Sequence, residues 1–469
     1  MSTIWSERDL ADFSFRNWSV EAAELQCKQL RQGAQPVQSI GPCTAGDGIV
    51  VLSEGDQAIA AEAASRALTG TDACIRFVPA SGAASRMFAL VRKPLDEALR
   101  TRLNSEAENF PFWSDVQRSE LLNLPQSERS EAAVKWMLDE IKGFAHQPKG
   151  MIPFHRYADG SVRNSFEEHA AEWRLLAGSS PIHFTVPEAY QARVEGLFPS
   201  DLNASTSIQM PQTDTLAWDI ESNGLARHVD GALLFRPGGH GALLANLREV
   251  AQNASFILIR NIDNVVPEPS MALRNSEESH LLGVCVQLTE QRDVLLREMD
   301  LQNKGWKAAA LEWLLAFDRS ADATWSGAKL REAIDRPIRV GGMVLNEGAP
   351  GGGPFWVRYS NGAVSPAIVE SAELPVGAMG QGTHFNPVDL ICSVRRYDGT
   401  VYDVNAYAER NMFFTADKDW QGRPIRILER PGLWNGAMAK WLTRFVEVPV
   451  ATFAPVKTVL DLLHASRRA

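Results

Sequence analysis

The stretch from Phe235 to Val266, FRPGGHGALLANLREVAQNASFILIRNIDNVV, constrains this chain more than any other. Pro237-Gly238-Gly239-His240-Gly241 is a loop with almost no side chains. From Ala242 to Val250, apolar Leu243, Leu244 and Leu247 have the spacing of an amphipathic helix. Ala254 to Arg260 is rich in β-formers and reads as a buried strand, ending on Asn261-Ile262-Asp263-Asn264. Glycines let a backbone approach a flat or anionic ligand, and a following helix offers free N–H groups. A carboxylate just beyond the C-terminal end of a parallel strand stands where open α/β sheets bind ligands. The combination points to a nucleotide pocket with Asp263 as its metal-holding group. A tight turn with a strand-end Asp is the alternative that the residues alone leave open.

The bulk properties bound this reading. With 469 residues, 45% hydrophobic and 22% charged, the chain has the make-up of a globular protein with ample core. A net charge of −10 argues against a nucleic-acid-binding face, which would be basic, but allows a small phosphate ligand. Cys27, Cys43, Cys74, Cys285 and Cys392 are scattered without a C-x-x-C pair, which suits reduced thiols better than disulfides or zinc. The start, MSTIWSERDLADF, has neither a basic nor an apolar leader region, and no apolar run approaches the ~18 residues of a membrane span. A cytoplasmic protein without membrane attachment is expected.

Residues 1–70 read as a polar helical region, with helices expected over Ser19–Arg31 and Gln57–Leu68. The first strand, Ala73 to Val78, runs into Pro79-Ala80-Ser81-Gly82-Ala83-Ala84-Ser85-Arg86-Met87, and a helical pattern follows. Strand, small-residue loop, helix is how a mononucleotide-binding α/β unit opens. Further strands are expected over Pro181–Val186 and Ser205–Met210, and two amphipathic helices between Glu277 and Phe317, split at Gly305. Beyond Pro337 strands and turns dominate. The fold class expected is α/β, with a Rossmann-like mixed sheet in a catalytic domain over 71–400 and a strand-rich C-terminal segment over 401–469.

Three constellations carry chemistry. In PASGAASRM, small residues leave room for a triphosphate against backbone N–H groups, and Arg86 offers a cationic fork; Ser85 as a helix cap is the plainer reading. The Gly238–Gly241 loop with Asp263 is the second. The third is Phe453-Ala454-Pro455-Val456-Lys457-Thr458, where a lysine two residues after a proline sits as a pinned cation or as ordinary surface. Glu168, His169 and Glu172 share a helix face, but no further ligand has metal spacing and a solvated face is expected. Walker A, H-E-x-x-H and G-x-S-x-G patterns are absent.

These segments occur in the order and spacing of the UDP-sugar pyrophosphorylases, and the chain resembles that type of nucleotidyltransferase over about residues 75–465. PASGAASRM is similar to its L-x-G-G-x-G-T-R loop, RPGGHGALLANL to its uridine loop, ILIRNIDNVV to its strand ending in V-D-N, and VEVPVATFAPVKTVLDLL to its lysine segment. Weaker similarities place Gln209 in a uracil-contacting segment, Gly342 in a G-V-V turn, Glu370 on a sugar-touching strand and His384 in an N-H-F motif. The chain as a whole resembles the bacterial family called domain of unknown function 4301, in which PASGAASRMF, FRPGGHGAL, NIDNVVP, GGGPFW, GTHFNPVDL and PGLWNGAM recur; that family brings no reaction with it.

The resemblance implies a sheet of the nucleotide-diphospho-sugar transferase type. It implies a pyrophosphorylase joining a nucleoside triphosphate, UTP by analogy, to a sugar 1-phosphate or similar phosphorylated small molecule. Arg86 and Lys457 would be catalytic, and Asp263 would hold Mg²⁺. Ser81, Gly82, Ala83, Gln209, Gly239, His240 and Gly241 would bind the nucleotide, and Gly342, Glu370 and His384 the acceptor. Two departures stand out: Ala84 replaces the family's third loop glycine, and Lys93 is a poor match for the lysine that follows the loop. A metal-dependent glycosyltransferase is a second possibility, against which residue 261 is Asn and not the first Asp of a D-x-D. A non-catalytic nucleotide-sugar-binding protein is a third.

Overall fold

A computed structural model describes residues 5–71, 73–80, 82, 84–139, 143–348, 351–375 and 377–467. The fold is α/β with a mixed sheet, as the sequence leads one to expect. Contacts divide the chain into two units that interleave in sequence. The first comprises Met1–Ala73, Gln209–Leu258 and Leu281–Val448; the second comprises Cys74–Ile208, Ile259–His280 and Pro449–Ala469.

In the second unit, parallel strands Cys74–Pro79, Ile182–Val186 and Ala204–Ile208 lie side by side, and the end of the strand Phe256–Arg260 flanks the first of them. Phe256–Arg260 is buried along its whole length, as a run without polar alternation requires of a parallel-sheet interior. Helices Glu97–Glu106, Asp115–Asn123 and Arg129–Leu138 bury Leu103, Leu121, Ala133 and Met137 in a cluster with Phe88, Phe110 and Trp113. Val456, Val459, Leu462 and Leu463, from the end of the chain, complete that same core.

In the first unit, Gly48–Val50, Leu442–Glu447, Ile338–Leu345 and Asp389–Ser393 are successive neighbours in a sheet. Leu442–Glu447 runs parallel to Ile338–Leu345 and Asp389–Ser393 antiparallel to it, so the sheet is mixed. Gln38–Pro42, Gly353–Arg358 and Val364–Val369 make a smaller antiparallel sheet, and Thr215–Asp219, Arg423–Glu429 and Phe414–Trp420 make another.

Element boundaries correct the sequence reading in places. The helices expected at Ser19–Arg31 and Gln57–Leu68 are Val20–Gln32, with Ser19 as its side-chain cap, and Glu54–Thr69, capped by Ser53. The N-terminal region is not wholly helical, since it also supplies strands at Gln38–Pro42, Thr44–Ala45 and Gly48–Val50. The first of the two helices expected after Glu277 begins earlier and runs unbroken over Met271–Asp300. No α-helix follows the PASGAASRM loop directly. A short 3₁₀ turn, Ala84–Arg86, gives way to turns up to Glu97–Glu106. The Met87 carbonyl is taken by Val459 N–H at 2.9 Å, and Val91 N–H turns to Phe88 O, so the ladder that would extend the helix is not built. All five cysteines are buried thiols outside any disulfide. No helix among the described residues is long and apolar enough to cross a membrane.

Candidate functional site

Within the second unit, three predicted segments converge with a fourth that the sequence did not announce. Gly82 is exposed, with open space where a side chain would begin, and its carbonyl accepts Lys149 N–H at 3.3 Å. Ala84 N–H donates to Gln147 O at 3.0 Å, so the small-residue loop is laid along residues 147–149. The 3₁₀ turn Lys149–Met151 fits there because Gly150 has no Cβ: one would lie 2.5 Å from the Phe166 ring. Lys149 Nζ then reaches the Asp263 carboxylate at 2.6 Å, with side-chain exposures of 16% and 22% that keep the pair within reach of water and ligand.

Asp263 is held by its backbone. Five consecutive carbonyls, Asn261 to Val265, accept hydrogen bonds from five groups. These are His169 Nε2 at 3.1 Å, the Ser165 hydroxyl, Val456 N–H at 3.0 Å, Arg260 Nη2 at 2.7 Å and Arg467 Nη1 at 2.8 Å. Ala454 N–H adds a bond to Asn264 Oδ1 at 2.9 Å. The residues before Lys457 are thus fastened to the backbone of the Asp263 turn. Lys457 itself is half-buried, its N–H on Asp461 Oδ2 at 2.8 Å and its Nζ 5.7 Å from the centre of the Phe453 ring. Arg86 is exposed on the same loop, and its guanidinium makes no hydrogen bond or ion pair with another described residue. Ser81 and Ala83 lie outside the described residues.

Behind the turn, the helix Ser165–Ala177 overturns the expectation of a solvated acidic face: Glu168, His169 and Glu172 are all buried. Glu172 Oε1 pairs with Arg76 at 2.7 Å and Arg260 at 2.6 Å, and Glu278 pairs with Arg76 and Arg260. Burial alone would raise the Glu172 carboxyl, yet the charges of Arg260, Arg76 and Arg274 hold it well below the usual carboxylate range. Burial, then the Arg260 charge, push His169 far below its ordinary value, so it stays neutral and donates to Asn261 O. Glu168 instead accepts from Tyr157 at 2.6 Å and pairs with His155 at 2.8 Å, whose other nitrogen faces Arg467 Nη1 at 2.8 Å. Charges on this helix were read as surface because their partners are remote in sequence.

The remaining predicted residues belong to the first unit. Gly238, Gly239 and Gly241 have an internal reason for lacking side chains. A Cβ would lie 2.5 Å from Thr213 O, 2.7 Å from Glu429 Oε2 and 2.0 Å from Pro431 O respectively. The expected reason, room for a ligand, is therefore replaced by close packing against residues 429–431. His240 accepts Leu433 N–H at Nδ1 (3.0 Å), stacks on Trp434 at 4.2 Å, and is pushed down to about 4 by burial. Gln209 follows the strand Ala204–Ile208, half-buried, and opens the stretch Gln209–Leu258.

Gly342, His384 and Glu370 do come together. Gly342 lies in Ile338–Leu345, one residue from Met343, which pairs with Glu447. His384 bridges Thr383 Oγ1 and Glu447 Oε2, both at 2.8 Å. Gly353 packs on His384 O (3.1 Å from where its Cβ would be) and Gly352 on Glu370 Oε1 (3.2 Å). Glu447, like Lys149, was missed; its place two residues before Pro449 carries no signal of a histidine partner. Glu373 and Asn435 were also missed. Glu370 N–H and Asn435 Nδ2 both donate to Glu373 Oε2, at 2.8 and 3.1 Å, and burial pushes the Glu373 carboxyl up to about 7.

An α/β protein with a cation-rich cluster around one strand-end carboxylate is the class that these features define. The chain belongs to the family described as Domain of unknown function (DUF4301), which it matches over residues 6–468. No curated protein matches it. Two solved structures similar to it are a mutant UDP-glucose pyrophosphorylase from Leishmania major and the uridine diphosphate N-acetylglucosamine pyrophosphorylase from Trypanosoma brucei in complex with an inhibitor. The first is 12% identical with a TM-score of 0.42, and the match covers 98% of this chain and 79% of that one. The second has the same identity, TM-score and coverage of this chain, and covers 84% of its own. A likeness at that level decides nothing about activity.

Proposed function

We propose that this protein is a nucleotidyltransferase of the pyrophosphorylase type, joining a nucleoside triphosphate to a phosphorylated small molecule with release of pyrophosphate. UTP and a sugar 1-phosphate are the substrates that the sequence motifs favour. The observation that carries the reading is the Lys149–Asp263 pair at 2.6 Å, built against the open Gly82 loop and fastened to the Lys457 segment. In-line phosphoryl displacement asks a protein for positioning and for neutralised charge rather than a covalent intermediate. Lys149 and Lys457 supply fixed positive charge for phosphate oxygens, and exposed Arg86 supplies a movable fork.

The donor set fits magnesium. Among the described residues no group of three His, Cys, Asp or Glu side chains is placed to hold a metal ion, so Asp263 would act as a lone carboxylate ligand. Mg²⁺ characteristically binds through one or two carboxylates plus substrate phosphates and retained waters. When bound it would neutralise phosphate charge; Lys149 would then hand its partner to the ion and turn to the phosphates. Radiolabelled pyrophosphate exchange into a panel of nucleoside triphosphates, with each sugar phosphate in turn, tests the proposal. Exchange that needs both substrates and is lost in Asp263→Asn supports it; absence of exchange with every combination overturns it.

A further inference from the structure

A second set of donors without acceptors lies wholly inside the first unit. Gly46–Val51, Leu315, Arg319, Trp356 and Arg444 line an open cavity of about 600 Å³, a volume typical of small-molecule sites. Arg444 projects from the strand Leu442–Glu447, half-buried, with its guanidinium 4.8 Å from the Phe317 ring centre. Its guanidinium makes no ion pair or hydrogen bond with another described residue, and burial lowers its pKa with no opposing charge to restore it. Arg319 lies 3.6 Å over the Trp356 ring, is paired with Asp47, and is anchored by its own N–H on Val364 O at 2.9 Å. Trp356 Nε1 is buried with no hydrogen-bond partner among the described residues. Gly48, at φ +91°, keeps the indole edge clear: a Cβ there would stand 3.1 Å from Nε1 and 2.8 Å from Cys43 Sγ.

Two guanidinium groups and an indole N–H can only donate, and Asp47 answers one of them. A half-buried cation with no partner destabilises a fold unless something else supplies its counter-charge. The rest of the lining is apolar, with Ile49 buried and Val51 and Leu315 exposed at 56% and 44%. We infer that this cavity is a binding site for a small organic oxyanion, a phosphate or carboxylate carried on an apolar body, with Arg444 as its principal anchor and Arg319 and Trp356 closing around it. The site is independent of the nucleotide reading, since it shares no residue with the Lys149–Asp263 cluster.

Isothermal titration of the whole protein with phenyl phosphate, benzoate and neutral benzyl alcohol tests it. At least one anion should bind saturably and the alcohol should not; which anion binds separates a phosphate ligand from a carboxylate one. Arg444→Met should weaken that binding by at least ~10-fold, while Arg444→Lys retains part of it. Lys149→Met, which removes a cation of the other cluster, should leave it unchanged. Arg444→Met should also melt no lower than the parent without ligand. Binding of neither anion, or equal binding by the parent and Arg444→Met, would overturn the assignment.

Discussion

Raising the pH should loosen the first unit through one carboxyl, Glu373. Its carboxyl is only 3% exposed, its Oε2 accepts from Glu370 N–H and Asn435 Nδ2, and its Oε1 has no hydrogen-bond partner among the described residues. Burial therefore holds the proton on and pushes the folded carboxyl up to about 7 from its ordinary 4.5. Between those values the folded state binds a proton that the unfolded state has released. Stability from this group is thus complete below the unfolded pKa and is lost as pH rises through the folded one. A shift from 4.5 to about 7, at about 1.4 kcal/mol per pH unit, gives at most ~3 kcal/mol. Glu373→Gln mimics the protonated acid: its carbonyl can accept the same two hydrogen bonds and it cannot ionise. Urea unfolding followed by tryptophan fluorescence, from about pH 5 to about pH 8, should show the parent losing stability and the variant losing about 3 kcal/mol less. Parallel pH profiles for the two proteins, or a parent that gains stability across that range relative to the variant, would refute the reasoning.

Asp263→Asn should abolish turnover while the melting temperature barely moves, because the turn is secured through backbone carbonyls rather than through the carboxylate; near-normal rate at saturating Mg²⁺ counts against it. Lys149→Met should cut kcat by ~10²-fold or more, the scale for loss of one electrostatic donor to a transition state, and steady-state kinetics with unchanged kcat would reduce the ion pair to a surface feature. Lys457→Ala should lower kcat by a similar ~10²-fold with less change in KM, and Lys457→Arg should rescue poorly because its fork places the charge differently. Gly241→Val should fail as a fold rather than as a binder, since its Cβ would meet the Pro431 carbonyl at 2.0 Å; a soluble variant melting like the parent would return the glycine to a ligand-facing role.

The sequence made some of this plain for physical reasons. A continuous apolar run ending in Asn-Ile-Asp-Asn reads as a buried strand leading to a strand-end carboxylate, and the strand Phe256–Arg260 with Asp263 beyond it is what forms. Lys457 stands out through the resemblance of its F-x-P-V-K-T-x-x-D-L-L segment to that of the pyrophosphorylases, since a lysine after a proline alone reads equally as surface. Lys149 does not stand out: its neighbours Pro148 and Gly150 read as any surface turn, and its importance comes from a partner 114 residues away. The charged face of Ser165–Ala177 misled for the same reason, as helical periodicity reports polarity but not whether arginines from distant strands wait on the other side. Gly238, Gly239 and Gly241 stand out by a missing Cβ, which does not say whether ligand or protein fills the space.

The interleaving of the two units also sets a schedule on the ribosome. Every stretch of the first unit has been made once Val448 has emerged, so it can close while synthesis continues. The second must wait for Pro449–Ala469, the last of its three stretches. Until then the carbonyls of Asp263 and Val265 lack the donors Val456 and Arg467, and the core around Phe88 and Trp113 lacks Val459 and Leu462. A nascent chain stalled before Pro449 therefore holds every stretch of the first unit and a second whose Asp263 turn is still unfastened.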